Sequence, residues 1–324
     1  MTIGTILMVI AVAFVCSAIG GYAIIPVLRK MKFGQSIREE GPQSHMQKAG
    51  TPTMGGLIFL TSIILTTVVL SYILNDVMTT QTIVLLIVLV GFGVIGFIDD
   101  YIIVVLKRNL GLTSLQKLIG QILIAILAFF LLKMGPFETT VALPFIDLKI
   151  DLGIFYVGFI IFWLVGFSNA VNITDGLDGL VGGLSTITFS GLGVLALIQG
   201  QDDIAFFTFA VAGAMLGFLL FNLKPAKVFM GDTGSLALGG AIAMVSILMK
   251  QELLLLVIGI VFVVETLSVI IQVASFKLTG KRVFKMSPIH HHFEESGWSE
   301  WKIVIVFWTV ALVATVIPLL MEVL

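Results

Sequence analysis

The chain has 324 residues, of which 58% are hydrophobic and 11% charged, with a formal net charge of −1 and a mean hydropathy of +1.14. A soluble domain carries about 25% charged residues, so this composition excludes a soluble globular protein and indicates a polytopic membrane protein. The single cysteine, Cys16, excludes intramolecular disulfides and any cysteine-based zinc site.

Ten apolar stretches approach the roughly twenty residues that a crossing helix needs. They run over 3–27, 54–73, 80–98, 116–133, 152–169, 180–199, 204–222, 235–249, 253–276 and 302–321. The expected fold is therefore all-α, with about ten transmembrane helices forming a single integral membrane domain over residues 1–324. The first stretch does not read as a signal peptide, because no basic region precedes it and basic residues follow it. Fifteen of the eighteen Lys and Arg residues fall in the connections after spans one, three, seven and nine, or at their edges; the exceptions are Lys133, Lys149 and Lys250. The positive-inside rule makes the basic face cytoplasmic and puts both termini outside.

In chain order, the first basic connection ends in Gln47-Lys48-Ala49-Gly50-Thr51-Pro52-Thr53-Met54-Gly55-Gly56. Glycine and proline at this density let backbone amides turn inward, and Lys48 beside them is suited to a phosphate; a plain turn entering span two accounts for the same residues. Next comes an apolar run from Thr82 to Ile98, closed by Asp99-Asp100. An ionised carboxylate costs roughly 2.5–3.5 kcal/mol at a membrane helix centre, and two adjacent ones repel. At a helix C-terminus they also oppose the macrodipole. A neutralising cation explains such a pair, and Lys107 and Lys117 follow nearby.

The segment Asn169-Ala-Val-Asn172-Ile-Thr-Asp175-Gly-Leu-Asp178 places four polar residues three apart, a stripe along one side of a helix. It lacks the alternating acids and distal Glu of an EF-hand loop. The connection after span seven combines Asn222, Lys224, Lys227, Phe229 and Asp232. An aromatic there can stack on a planar base, while Asp232 also suits a helix N-cap. Glu265 lies in the middle of span nine with Gln272 two turns on, a candidate functional acid or a buried structural partner. The last connection carries His290, His291 and His292, which cannot share one helical face, so a loop or irregular element is expected. Magnesium prefers oxygen ligands, so these imidazoles suit hydrogen bonds to a phosphate or sugar.

Basic residues for phosphates, carboxylates for a divalent cation and an aromatic for a base fit phosphoryl transfer from a nucleotide donor to a lipid acceptor. A cation-coupled transporter would place its acids near mid-membrane, and an intramembrane aspartyl protease would not need basic loops. TPTMGG, GFIDD, NAVNITDGLDGL, GDTGSLALGG and RVFKMSPIHHHFE, in this order over residues 48–294, resemble the phospho-N-acetylmuramoyl-pentapeptide transferases. The aspartate motifs are shared with the wider polyprenyl-phosphate sugar-1-phosphate transferases, which include N-acetylglucosamine-1-phosphate transferases; the PIHHHFE tail points to the muramoyl-pentapeptide branch.

The resemblance implies transfer from UDP-MurNAc-pentapeptide to undecaprenyl phosphate in a bacterial plasma membrane, with Mg²⁺ as cofactor. It also implies a homodimer and no nucleic-acid partner. Carried onto matching positions, it makes Asp99, Asp100 and Asp232 the catalytic acids, with Asp232 the magnesium ligand. It makes Lys48, Asp178, Asn222 and Phe229 the uridine site, with Phe229 stacking on uracil. Asn172 and Asp175 become neighbours of phosphate or metal, and His290, His291 and His292 donors to the diphosphate or sugar. Thr53, Lys117 and Gln272 complete the expected substrate-binding set.

Overall fold

A computed structural model describes residues 1–31, 50–75, 78–107, 111–143 and 148–323. Lys48 lies outside the described residues. Ten helices are long and apolar enough to cross a membrane: α1 (Ile3–Lys30), α2 (Gly56–Asn75), α3 (Thr80–Val104), α4 (Ser114–Lys133), α5 (Tyr156–Thr174), α6 (Leu180–Ile198), α7 (Asp202–Asn222), α8 (Gly231–Leu248), α10 (Ile260–Thr279) and α12 (Glu300–Val323). Two short helices, α9 (Glu252–Ile258) and α11 (Ile289–Glu294), complete the helical set.

Local chemistry starts several of these helices. Thr2 accepts the amide of Thr5, Thr79 that of Thr82, and Thr113 forms a reciprocal capping box with Gln116. Each satisfies an amide that a helix start leaves without an intrahelical partner. The centre of the bundle is α7 and α8, apolar on nearly every side and buried along most of their length. Around them, α3 and α5 pack on α8, and α1 and α6 on α7; α4 lies against α3 and α5, and α12 against α6. The α3–α8 contact depends on Gly96, where an added Cβ would sit 2.1 Å from the carbonyl oxygen of Asp232. Close backbone approach through small residues is how membrane helices gain packing contact without a hydrophobic drive between them.

Three features depart from the reading of the sequence. The apolar stretch expected as one span over 253–276 is broken at Gly259, whose non-helical backbone ends α9 and precedes α10. Hydropathy is continuous through that glycine and so carries no mark of the break. Helix α3 continues past residue 98 to Val104, so Asp99 and Asp100 lie within it rather than after it. Between α4 and α5 a two-stranded antiparallel hairpin, β1 (Thr140–Leu143) with β2 (Leu148–Asp151), pairs Thr140 with Asp151. Lys250 supports this hairpin. Its ammonium donates to the carbonyls of Glu138 and Thr140 and lies 3.9 Å above the Phe137 ring.

With helices alternating in direction, the C-terminal ends of α3, α5 and α7 meet the N-terminal ends of α4, α6, α8 and α12. The hairpin, Lys250 and both described chain ends fall at the opposite end, where the Met1 ammonium pairs with Asp202 at the start of α7. Every candidate site residue that is described, apart from Glu265 and Gln272 on α10, belongs to the first of these two ends or to the segments leaving it.

Candidate active site

Successive residues on an α-helix point about 100° apart, and this separates the two neighbouring acids of α3. Asp99 faces α4. One of its carboxylate oxygens accepts the Leu112 amide at 2.7 Å, and the other pairs with Lys117 Nζ at 3.0 Å. Lys117 Nζ also reaches Asp232 Oδ2 at 2.7 Å, so a single ammonium joins acids from α3 and α8. The other oxygen of Asp232 accepts from Asn172 Nδ2 at 2.8 Å, and Asn172 also donates to Ser235 Oγ at 2.8 Å. Four helices thus converge on one charged centre.

Asp100 faces the start of α8 instead. Its carboxylate accepts the amides of Asp232 and Thr233 at 3.2 and 3.0 Å and the Thr233 hydroxyl at 2.6 Å. An acid that satisfies the first amides of a helix is favoured by their orphan status and by the macrodipole. Asp100 is 6% exposed. Its place is the support of the helix that carries Asp232, one step from the centre itself. Thr53 is buried at the same corner, its hydroxyl directed at Gly231.

The predicted polar stripe is split by the end of α5. Asn172 is still helical and joins the charged centre, whereas Asp175 and Asp178 lie in the turn to α6. Asp178 Oδ2 accepts the Ala226 amide at 3.0 Å. Asn222 Oδ1 accepts the Gly179 amide at 3.2 Å, and its amide nitrogen donates to the Val228 carbonyl at 3.0 Å. Asp178 and Asn222 therefore fasten the loop between α7 and α8 to the turn between α5 and α6. At the end of that loop Phe229 is half-buried, and its backbone pairs with the carbonyl of Pro52 and the amide of Gly55 at 2.9 and 2.8 Å.

Residues 289–294 form a short helix where an irregular segment was expected; the His290 and His291 rings lie 4.1 Å apart between centroids, yet the three imidazoles take different partners. His290 is fully buried, with Nδ1 3.0 Å from Glu265 Oε1. Its Nε2 lies 2.3 Å from where a Cβ on Gly176 would be, so the histidine segment packs directly on the Asp175–Asp178 turn. His291 pairs with Glu294 at 2.7 Å, and His292 accepts the Lys285 amide at 3.1 Å. Gln272 is committed to the same segment: its oxygen accepts the amides of Val283 and Phe284, and its nitrogen donates to the Phe284 carbonyl, each at 2.9 Å. Glu265, Ser268 and Gln272 form the buried polar face of α10, which explains an acid in mid-span: its partner is His290.

Sequence reasoning missed Thr233, Ser235 and Glu300. The first two lie inside the GDTGS motif, where helical spacing from Asp232 was a usable signal. Glu300 had none, being one of several acids in the polar stretch that follows the histidine motif and part of no motif itself.

The donor set suits Mg²⁺. Asp99 and Asp232 are hard oxygen donors directed at one cationic position, where the Lys117 ammonium sits. Magnesium takes one or two carboxylates and completes its shell with water and substrate phosphate oxygens. Among the described residues no group of three or more His, Cys, Asp and Glu side chains is arranged to hold a metal. The two-carboxylate centre is accordingly one that a diphosphate would complete.

A helical membrane bundle with this charged centre falls in a class defined by comparison: residues 82–250, from α3 through α8, match the model of glycosyl transferase family 4. Residues 48–60 match the phospho-N-acetylmuramoyl-pentapeptide-transferase signature 1. A protein of that name from Listeria monocytogenes is 59% identical over 95% of each chain. Those from Anoxybacillus flavithermus and Geobacillus thermodenitrificans are each 58% identical over 98% of each chain. The chain belongs to the phospho-N-acetylmuramoyl-pentapeptide-transferase family.

Proposed function

We propose that the protein transfers phospho-MurNAc-pentapeptide from UDP-MurNAc-pentapeptide to undecaprenyl phosphate, forming lipid I and releasing UMP. The observation that carries this reading is the joining of Asp99 and Asp232 by Lys117 beside a loop that presents Phe229. An oxygen of the lipid phosphate attacks the phosphorus that bears the sugar. The bond from that phosphorus to the bridging oxygen breaks, and UMP departs with the oxygen. A phosphate monoester has a second pKa near 6, so the attacking group is already largely dianionic at pH 7 and no proton need be removed.

Catalysis then rests on positioning and neutralisation, as is usual for phosphoryl transfer. Lys117 offsets the two acids and offers its ammonium to phosphate oxygens. Asp232, with Asp99 adjacent, would hold Mg²⁺, which would supply neutralisation of diphosphate charge there. Both oxygens of Asp99 are engaged and the residue is 2% exposed, which favours direct attack by the lipid over an aspartyl-phosphate intermediate. Phe229 offers a face to uracil, with Asp178 and Asn222 holding its loop; Lys48 is retained as a phosphate contact.

The site end faces the cytoplasm of the bacterial plasma membrane in this reading, supported by the segregation of basic residues around it. The test is UMP release by purified protein with Mg²⁺ and undecaprenyl phosphate, comparing UDP-MurNAc-pentapeptide with UDP-N-acetylglucosamine. Release from the first donor is expected. Release from the second alone would move the protein to the N-acetylglucosamine-1-phosphate branch, and release from neither would remove the transferase reading.

A further inference from the structure

We propose that Glu300 is a positioning residue for the nucleotide end of the donor, clamping the 223–230 loop onto the Asp178 turn. This rests on the reading that Phe229 stacks on uracil. Glu300 begins α12, about seventy residues beyond the loop, and is 7% exposed. Oε1 accepts the backbone amide of Asp178 at 2.7 Å, and Oε2 pairs with Lys224 Nζ at 2.9 Å. One buried carboxylate therefore holds two segments that approach the site from different helices.

An acid is welcome in the first turn of any helix, but that preference is met by an exposed side chain and needs neither contact. Here both oxygens are directed away from α12. The pattern along the loop supports the same reading. Lys224 is held by Glu300, the Ala226 amide by Asp178, and the Val228 carbonyl by Asn222. Positions 224, 226 and 228 are tied down in turn by the start of α12, the α5–α6 turn and the end of α7, and the next residue is Phe229, whose backbone is fixed by Pro52 and Gly55. With the ring set by its backbone, loosening the Lys224 end shifts the face offered to a base. Asp178 is coupled twice, through its amide to Glu300 and through its carboxylate to Ala226. Glu300 thus acts on donor binding without touching the donor.

Glu300→Gln keeps an oxygen for the Asp178 amide and removes the charge that holds Lys224. Lys224→Met breaks the same pair from a side chain that is 42% exposed, where folding is least at risk. A charge-assisted hydrogen bond exceeds a neutral one by enough that each variant should bind UMP roughly tenfold more weakly by calorimetry on the full chain in detergent. The KM for UDP-MurNAc-pentapeptide should rise by a similar factor, with the KM for undecaprenyl phosphate within twofold of wild type. The double variant should be no weaker than either single one, because both remove one interaction. Phe229→Ala serves as the reference. If it weakens UMP while Glu300→Gln and Lys224→Met stay within twofold of wild type, the clamp is refuted and the base site stands. If Phe229→Ala leaves UMP binding intact, the base site itself is misplaced and the clamp falls with it. Equal rises in both KM values with a lowered melting temperature for Lys224→Met would make the pair structural only.

Discussion

Lys117 is the residue on which the charged centre balances. Removing one partner of a buried charge cluster leaves the others uncompensated, which costs several kcal/mol where replacing the whole set need not. Lys117→Met should therefore lower the melting temperature and remove turnover, because Asp99 and Asp232 then face each other without a cation. Adding Asp99→Asn to that variant should recover much of the melting temperature but none of the activity. A double variant no more stable than the single one would show that the pair is screened by other means. Asp232→Asn should abolish turnover at saturating Mg²⁺, since an amide is a poorer ligand for a hard dication, and should also lower the melting temperature, because its single oxygen can accept from Lys117 or from Asn172 but not from both.

Phe229 belongs to the same scale. Stacking on a base is worth roughly 1–3 kcal/mol by alanine substitution, so Phe229→Ala should weaken UMP binding about tenfold or more. Phe229→Trp should bind better than Phe229→Leu, because stacking needs a planar face rather than apolar volume. Calorimetry that ranks leucine with tryptophan would replace stacking by simple apolar contact.

Among the elements, α10 and the histidine segment form one unit. Glu265 on the buried face of α10 meets His290, and Gln272 holds residues 283 and 284, so the helix positions the segment at two points. Glu265→Ala leaves a buried imidazole without its partner, a loss of about 1–3 kcal/mol, and should lower turnover with UMP affinity kept within a few-fold. An unchanged turnover would detach the histidine segment from the chemistry. At the far end, Lys250 has the corresponding part for the β-hairpin. Burial pulls its ammonium down to about 8, and nearby Glu252 acts against this. Lys250→Met should lower the melting temperature and leave UMP affinity as it is, since every contact it loses lies at the end remote from Asp99.

For the whole molecule the expected outcome is one of sidedness. In a Cys16→Ser background, cysteines placed at Ser44 and Ser287 should react with an impermeant thiol reagent only after cells are opened, and one at Lys149 should react in intact cells. Labelling of Ser287→Cys from outside would invert the orientation. The prediction follows from the net placement of basic residues, which is a property of the whole chain and not of any single loop.

What the amino-acid sequence determined by itself was the helical membrane class, the number of spans and the end of the bundle at which most of the candidate residues gather. These follow from hydropathy and from charge placement, which act through length and composition and need no knowledge of neighbours. The motifs also led to Asp99, Asn172 and Asp232, because acids and amides at helix ends in an apolar chain need partners. The tertiary structure alone decided how adjacent residues divide their work. Asp99 and Asp100 are one peptide apart, yet one joins Lys117 and the other supports the first turn of α8, because helical rotation points them at different neighbours. It likewise decided that Glu265 belongs to His290 and Glu300 to Asp178 and Lys224. Such pairings join residues far apart in the chain, and periodicity carries no information about them; they exist only once packing has excluded water and brought buried polar groups of different helices together.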